Sequence, residues 1–131
     1  MVKPKVLLDS SVLIAFFNPK DSQHKKGVKA FKNLEEQEAL LYLHPLVVVE
    51  TLTVLKQRIN IILLKEIESI IFNREIFERV EFDLNIRQNS QLIETFNKVK
   101  NISVVDAVLL MVSRELRLEL LTFDFQLAKE V

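Results

Sequence analysis

The sequence has no cysteine and only one glycine among its 131 residues. The absence of cysteine excludes disulfides, thiolate zinc sites and cysteine nucleophiles, and it suits a reducing compartment. The single glycine, Gly27, excludes the glycine-rich phosphate loops of ATP-binding and dinucleotide-binding proteins. Chemistry that depends on ATP or NAD is therefore not expected.

Neither charge sign is in excess, because 18 Lys and Arg residues balance 18 Asp and Glu residues. No overall positive field is available to hold nucleic acid, so such binding has to be local or assisted by a metal ion. The apolar runs are shorter than the roughly 20 residues of a membrane span, and the first five residues lack the apolar segment of a signal peptide. We expect a cytoplasmic protein without a membrane partner.

Short apolar runs alternate along the chain with segments of helical periodicity. Hydrophobic residues make up 49% of the sequence, which is enough to fill the core of a single domain spanning residues 1–131. The alternation predicts a three-layer α/β/α fold with a central parallel sheet of four to five strands. The predicted strands are Val6–Leu8, Leu40–Leu43, Val80–Phe82 and Leu120–Thr122, and the predicted helices are Val12–Phe17, His24–Gln37, Leu46–Arg58, Ile61–Phe72, Leu84–Val99, Val104–Leu116 and a short helix ending at Val131.

Four acidic residues stand in apolar surroundings or at predicted strand ends. Glu50 is the only charged residue in the segment 46–55, and Asp106 is likewise alone in an apolar helical run. Asp9 and Asp124 follow predicted strands, and open parallel sheets bind ligands beyond the carboxyl ends of their strands. Each acid also has a simpler explanation, because Glu50 can reach solvent or pair with a basic residue and the three aspartates can cap helices.

Convergence of the acids would distinguish a functional site from separate helix caps. Asp106 alone is explained about equally well by a capping box with Ser103. Four carboxylates that meet at one edge of a sheet repel one another by roughly 3 kcal/mol per pair at about 5 Å, so they need cations. Oxygen ligands without His or Cys suit Mg²⁺ or Mn²⁺. The sequence therefore predicts a metal site formed by Asp9, Glu50, Asp106 and Asp124.

The remaining polar candidates have structural explanations. Neither His24 nor His44 is near a carboxylate in the sequence, and we expect both to be structural or solvated. Lys25, Lys29 and Lys32 follow helical spacing, which usually marks a solvated face but also suits contact with phosphates.

Taken together, residues 9–14 (DSSVLI), the isolated Glu50, Asp106 and residues 122–124 (TFD) resemble the PIN-domain family. Within it, the chain looks most like the VapC-type toxin ribonucleases of prokaryotic toxin–antitoxin pairs. The resemblance implies a homodimeric, metal-dependent endoribonuclease with an RNA substrate and an antitoxin partner. The implied catalytic and metal-binding residues are Asp9, Glu50, Asp106 and Asp124, with Ser10 and Thr122 as supporting hydroxyls.

One or two Mg²⁺ or Mn²⁺ ions, held mainly by Asp9, Asp106 and Asp124, would in this hypothesis activate a water for attack on an RNA phosphodiester. Glu50 would complete the site or orient that water. Ser10 and Thr122 would position carboxylates or bind a phosphate oxygen.

The chain departs from the family pattern in two places. It ends seven residues after Asp124, where many relatives continue into a further edge strand. It also lacks the glycine that relatives often carry near the fourth strand, where Leu118 and Glu119 stand. A sheet of four strands is therefore compatible with the resemblance.

Two classes of function remain as alternatives. A magnesium-dependent phosphatase would use Asp9 as a covalent nucleophile, although such sites usually have a second acid two residues later, where this chain has Ser11. A catalytically silent PIN-like scaffold, or an adhesion-type metal site, would bind RNA or a protein without cleaving it. The adhesion motif requires a serine at the position of Leu13, which weakens that version.

Overall fold

The computed structural model describes the backbone of residues 2–81 and 86–131 and the side chains of residues 2–81 and 90–131. Strands and helices alternate along this part of the chain. No helix within it is long and apolar enough to cross a membrane. The strands are β1 (Lys5–Leu8), β2 (Leu40–Leu43), β3 (Glu78–Arg79) and β4 (Glu119–Leu121), and the helices are α1 (Ser10–Phe17), α2 (His24–Glu36), α3 (Pro45–Arg58), α4 (Ile61–Ile71), α5 (Ile86–Lys98), α6 (Val104–Glu115) and α7 (Phe125–Ala128).

The strands form a parallel sheet in the order β3-β2-β1-β4. At the centre, Leu7 of β1 lies opposite Tyr42 of β2 on one side and Leu120 of β4 on the other. The predicted parallel α/β/α fold is confirmed, with four strands in the described residues. Because β1 separates two strands that follow it in the chain, the switch in strand order lies beside β1, where parallel sheets bind ligands.

The core lies between the sheet and its helices. Leu7, Leu8 and Leu43 of the two central strands are completely buried, as are Leu13 of α1 and Leu109 of α6. These side chains belong to one continuous apolar cluster. Burial of a side chain of this size contributes roughly 1.5–3 kcal/mol, so the cluster fixes the strand ends and the helices that begin there.

Gly27 is required by the close packing of α2 on α1. A Cβ atom at this position would lie 2.8 Å from the backbone nitrogen of Phe16, closer than non-bonded atoms can approach. One turn earlier, Nδ1 of His24 lies 2.8 Å from the carbonyl oxygen of Ala15. The one glycine of the chain therefore holds α1 in place, directly after β1.

The prediction of the third strand at Val80–Phe82 is wrong, because β3 is Glu78–Arg79. The backbone N–H of Val80 still donates to the carbonyl oxygen of Leu43, at 3.0 Å, and the ladder ends there. Phe77 and Val80, the apolar residues that flank the strand, are buried. The prediction placed the strand on the apolar residues from Val80 onward, two residues after its true start. Phe82 lies outside the described residues.

Other boundaries shift by a few residues. Helix α1 begins at Ser10 rather than Val12, because Asp9 occupies its N-cap position. Strand β4 begins and ends one residue earlier than predicted, and α7 ends at Ala128 rather than at Val131. The predicted start of the fifth helix, Leu84, lies outside the described residues.

Candidate active site

The site begins where β1 ends. Asp9 follows Leu8 directly, and its backbone N–H donates to the carbonyl oxygen of Leu121 in β4, at 3.0 Å. Asp9 is the N-cap residue of α1, but its carboxylate makes no capping hydrogen bond. The residue is only 3% exposed. An ionised carboxylate at this depth needs donors, and the chain supplies them from elsewhere.

Two hydroxyl groups donate to the same oxygen of Asp9. The Oγ of Ser11 and the Oγ1 of Thr122 each lie 2.7 Å from Asp9 Oδ2. The Ser11 hydroxyl in turn accepts from the backbone N–H of Phe123 at 2.9 Å, and Thr122 Oγ1 accepts from the backbone N–H of Asp124 at 3.0 Å. These bonds tie the first turn of α1 to the segment after β4 and fix the orientation of the Asp9 carboxylate.

Glu50 reaches the same region from α3. Its Oε1 accepts a hydrogen bond from the hydroxyl of Ser10, a buried residue in the first turn of α1. Val47 and Thr51 on the same helix are completely buried, while Glu50 itself is partly buried. Ser10 therefore connects Glu50 to the turn that also holds Asp9.

Asp106 has both of the roles that its sequence allows. It forms a capping box at the start of α6, accepting from the backbone N–H of Ser103 at 3.2 Å while its own N–H donates to the Ser103 hydroxyl at 3.1 Å. Burial raises the pKa of Asp106 above its usual value, the Ser103 hydrogen bonds oppose that rise, and the negative charges of Asp9 and Asp124 add to it. Asp9 and Asp124 are therefore both near enough for their charges to act on Asp106.

Asp124 is an exposed helix cap. Its Oδ1 accepts from the backbone N–H groups of Gln126 and Leu127, at 2.8 and 3.0 Å, at the start of α7. The side chain stays in the electrostatic range of Asp106 while it satisfies these donors. Of the candidate acids, Asp124 is the most accessible to solvent and thus to a substrate.

The structure brings the predicted residues together to different degrees. Asp9 and Thr122 are in direct contact, Asp9, Asp106 and Asp124 share an electrostatic environment, and Ser10 joins Glu50 to the same helix turn. Within residues 2–81 and 86–131, no three His, Asp or Glu side chains are gathered to hold a metal ion as they stand. Each acid instead satisfies donors near it in space.

Sequence reasoning missed the role of Ser11. Ser10 and Thr122 were the hydroxyls expected to position carboxylates or bind a phosphate oxygen, and they donate to Glu50 and Asp9 respectively. Ser11, which was not among them, also donates to Asp9. The spacing contained a signal, because a serine two residues after an N-cap aspartate can turn back towards that carboxylate across the first helical turn. The two histidines are structural, since His44 caps α3 and His24 contacts Ala15.

Comparisons with known proteins identify the family and the fold. The model of the PIN domain matches residues 6–130 of the chain. Among solved structures, VapC20 of Mycobacterium tuberculosis, described as a Sarcin-Ricin loop cleaving toxin, has a TM-score of 0.76 and 19% identity, over 95% of this chain and 93% of VapC20. PAE2754 of Pyrobaculum aerophilum has a TM-score of 0.62 and 18% identity, over 99% of this chain and 87% of that one. No curated protein sequence matches the chain. The extent of the domain match shows that the chain belongs to the PIN-domain family.

Proposed function

We propose that this protein is a divalent-cation-dependent endoribonuclease that hydrolyses RNA phosphodiesters, and that it is the toxin of a toxin–antitoxin pair. The observation that carries the proposal is the placement of Asp9 and Asp124 just beyond the carboxyl ends of β1 and β4, where the Thr122 hydroxyl donates to Asp9 and accepts from the backbone N–H of Asp124. Both aspartates also help to raise the pKa of Asp106 at the start of α6. A cluster of like charges costs stability, and acids held together against that cost are candidates for function.

The donor set fits a hard cation. The candidate ligands are carboxylate and hydroxyl oxygens, which Mg²⁺ and Mn²⁺ prefer, and no thiolate occurs in the sequence. In the described residues the acids do not yet form a closed ligand set. To bind a cation, the Asp106 carboxylate would have to rearrange one capping hydrogen bond and that of Asp124 two, whereas Asp9 is already oriented by two hydroxyls.

The residues have distinct roles in the proposed reaction. Asp9, Asp106 and Asp124 would hold the cation, which would supply Lewis-acid stabilisation of negative charge on the phosphate. Ser11 and Thr122 hold the Asp9 carboxylate in one orientation, so its position is set before the substrate binds. Glu50, held by Ser10, accepts a hydrogen bond from the attacking water and orients it.

The toxin role draws on VapC20, which has the same fold and is described as a Sarcin-Ricin loop cleaving toxin. An antitoxin partner and a homodimer are part of this proposal. A partner that co-purifies from the native host and inhibits cleavage would support it, whereas a protein that always purifies alone would contradict it. Light scattering of the purified chain would give the number of copies.

The first experiment measures cleavage of a mixed panel of structured and single-stranded RNAs with Mg²⁺, with Mn²⁺ and with EDTA. We expect cation-dependent cleavage by the wild type and none by Asp9→Asn, which keeps the shape of the side chain. Glu66→Gln, an exposed acid on α4, is the matched control and should cleave like the wild type. Cleavage retained by Asp9→Asn would contradict the assignment.

A catalytically silent scaffold is the second candidate function, and the absence of a preformed ligand set in the described residues favours it. RNA binding without cleavage at any cation concentration would support it. The phosphatase alternative is weaker, because Asp9 is almost completely buried and one of its oxygens already accepts two hydrogen bonds. A trapped aspartyl-phosphate at Asp9 would restore it.

A further inference from the structure

An open cleft of about 270 Å³ adjoins the acidic residues. Ser11 and Asp124 of the site line this cleft together with Asp21, Arg58 and Phe123. This volume is slightly below the roughly 300–1,000 Å³ of pockets that enclose a small molecule. The cleft therefore suits one unit of a bound polymer, with the neighbouring part of that polymer at the acidic residues.

Phe123 supplies an aromatic surface in this cleft, and its position is tied to the site. Its backbone N–H donates to the hydroxyl of Ser11, which also donates to Asp9. The ring is partly buried against the core, and Nζ of Lys26 lies 4.4 Å from its centroid. The ring is thus held in place by the backbone bond to Ser11, by the core and by the ammonium group of Lys26 over the ring.

Arg58 supplies a positive charge within the cleft, and its ion pair with Asp21 is weak. It is the last residue of α3, and its side chain is 55% exposed. Its contact with Asp21 is an ion pair at 3.8 Å, near the limit for such pairs. Exposed pairs of this kind contribute little stability, so Arg58 can exchange Asp21 for a phosphate at small cost.

We infer that this cleft is a subsite for one unpaired nucleotide next to the cleaved phosphodiester. Its base stacks on the side of the Phe123 ring that lines the cleft, and Arg58 holds an adjoining phosphate. The inference rests on the proposed nuclease function and extends it to the substrate class. A base in a duplex has both faces covered by its neighbours and cannot stack on a protein ring, so the substrate is single-stranded at this position.

Binding of short single-stranded RNAs that carry 2-aminopurine tests the inference in EDTA, where cleavage does not interfere. Stacking changes the fluorescence of this base, and each base–aromatic stack contributes about tenfold or more to affinity. We expect Phe123→Leu, which keeps an apolar side chain but loses the ring, to bind about tenfold more weakly and to lose the fluorescence change. Phe123→Trp should restore both.

The matched control is Phe125→Leu. Phe125 is 71% exposed and also has a lysine at 4.4 Å from its ring, Lys129, but it does not line the cleft. Its replacement should leave RNA binding unchanged. Equal affinities for the wild type and Phe123→Leu, or equal losses in the two leucine variants, would overturn the inference, as would the absence of RNA binding by the wild type.

The arginine is tested by the salt dependence of binding. Loss of one phosphate contact to a single strand lowers the slope of log K against log salt concentration by about 0.7. We expect this change in Arg58→Gln and not in Arg74→Gln, an exposed arginine outside the cleft. An unchanged slope in Arg58→Gln would remove Arg58 from the subsite.

Cleavage assays separate failure of the subsite from failure of the nuclease proposal. If the nuclease proposal holds, Phe123→Leu should raise KM with a smaller effect on kcat, because its target is substrate binding. If the wild type cleaves RNA and Phe123→Leu has the same KM, the subsite fails and the nuclease stands. If the wild type does not cleave, the fluorescence titration still decides whether the cleft binds an unpaired base.

Discussion

Neighbouring strands β1 and β2 end in the same way, with a buried polar residue that precedes a helix, but the two residues use their side chains differently. His44 caps its own helix, because its Nδ1 accepts a hydrogen bond from the backbone N–H of Leu46 at 3.0 Å. Asp9 makes no such cap, and its carboxylate accepts from Ser11 and from Thr122, which is 113 residues away.

The difference separates a structural residue from a candidate functional one at equivalent positions. A capping side chain is explained by the orphan N–H groups of its helix, and no ligand is needed to account for it. A buried carboxylate held by groups from a distant segment has no such local explanation. Asp124 and Asp106 lie between these extremes. Both cap helices, and the charge of Asp124 also contributes to the raised pKa of Asp106.

The largest expected effect concerns stability at the end of β2. Burial lowers the pKa of His44 from 6.5 to about 4, so the fold favours the neutral ring. The free energy of unfolding should be fully retained above pH 6.5 and should fall by about 1.4 kcal/mol per pH unit below it, losing about 3 kcal/mol by pH 4. Urea titrations between pH 7 and pH 4 measure this loss.

The variant His44→Asn isolates the contribution of the histidine. Asparagine is a good N-cap residue and can accept from Leu46, but it does not titrate. Its stability should therefore depend less on pH than that of the wild type in this range, while groups such as Asp106 titrate in both proteins. Parallel stability curves for the two proteins would contradict the assignment.

The next effect concerns activity at the end of β1. Thr122→Val keeps the shape of the side chain but removes a hydroxyl that donates to Asp9. Loss of a group that orients a ligand typically lowers activity by about 10–100-fold. We expect that loss in kcat for RNA cleavage, with a change in unfolding free energy of about 1 kcal/mol.

Thr53→Val is the matched control for this measurement. Thr53 is exposed on α3, and its hydroxyl donates to the carbonyl oxygen of Val49 in the same helix. Cleavage by this variant should equal that of the wild type. If the two valine variants lose activity equally, the hydroxyl of Thr122 has no particular relation to catalysis.

The sequence predicted the strands and helices well where apolar periodicity and caps agreed. Asn60 and Ser103 are N-caps at the starts of α4 and α6, and both helices lie where they were expected. The third strand was misplaced because β3 contains two charged residues, so its pairing with β2 depends on the sheet and not on local preference.

The site was predictable as a set of acids but not as a set of contacts. Glu50 and Asp106 stood out because each is isolated in an apolar stretch. That Ser11 and not Ser10 holds Asp9 depends on how the first turn of α1 faces Thr122, which is a tertiary relation. The left-handed backbone of Arg117, at φ 54°, was also missed, because an arginine gives no local signal for a positive φ.

A smaller effect distinguishes Asp106 from His44. Because burial and the charges of Asp9 and Asp124 raise the pKa of Asp106, its ionised form costs stability above the usual pKa of an aspartate, and this cost disappears as pH falls through the raised pKa. Asp106→Asn keeps an acceptor for Ser103 and should slightly stabilise the cation-free protein at pH 7, because it removes the ionised carboxylate, with the gain kept small by solvent screening.

Thermal unfolding with and without Mn²⁺ measures this effect. In EDTA the variant should unfold at a higher temperature than the wild type, and added Mn²⁺ should stabilise the wild type more than the variant. Equal stabilisation of both proteins by Mn²⁺ would show that Asp106 does not bind the cation.

The smallest effect concerns the turn that leads into β4, the strand before Asp124. Arg117 has a positive φ of 54°, a conformation that costs an ordinary residue about 1–2 kcal/mol and that glycine adopts freely. Glycine also loses more backbone entropy on folding, which offsets part of this gain. Arg117→Gly should therefore stabilise the protein by roughly 0.5–1 kcal/mol, measured by urea unfolding. RNA cleavage should not change, because Arg117 lies before the strand and the acids lie beyond it. A change in kcat without a change in stability would mean that this turn contributes to the site. The view that only the carboxyl end of β4 has a functional role would then be wrong.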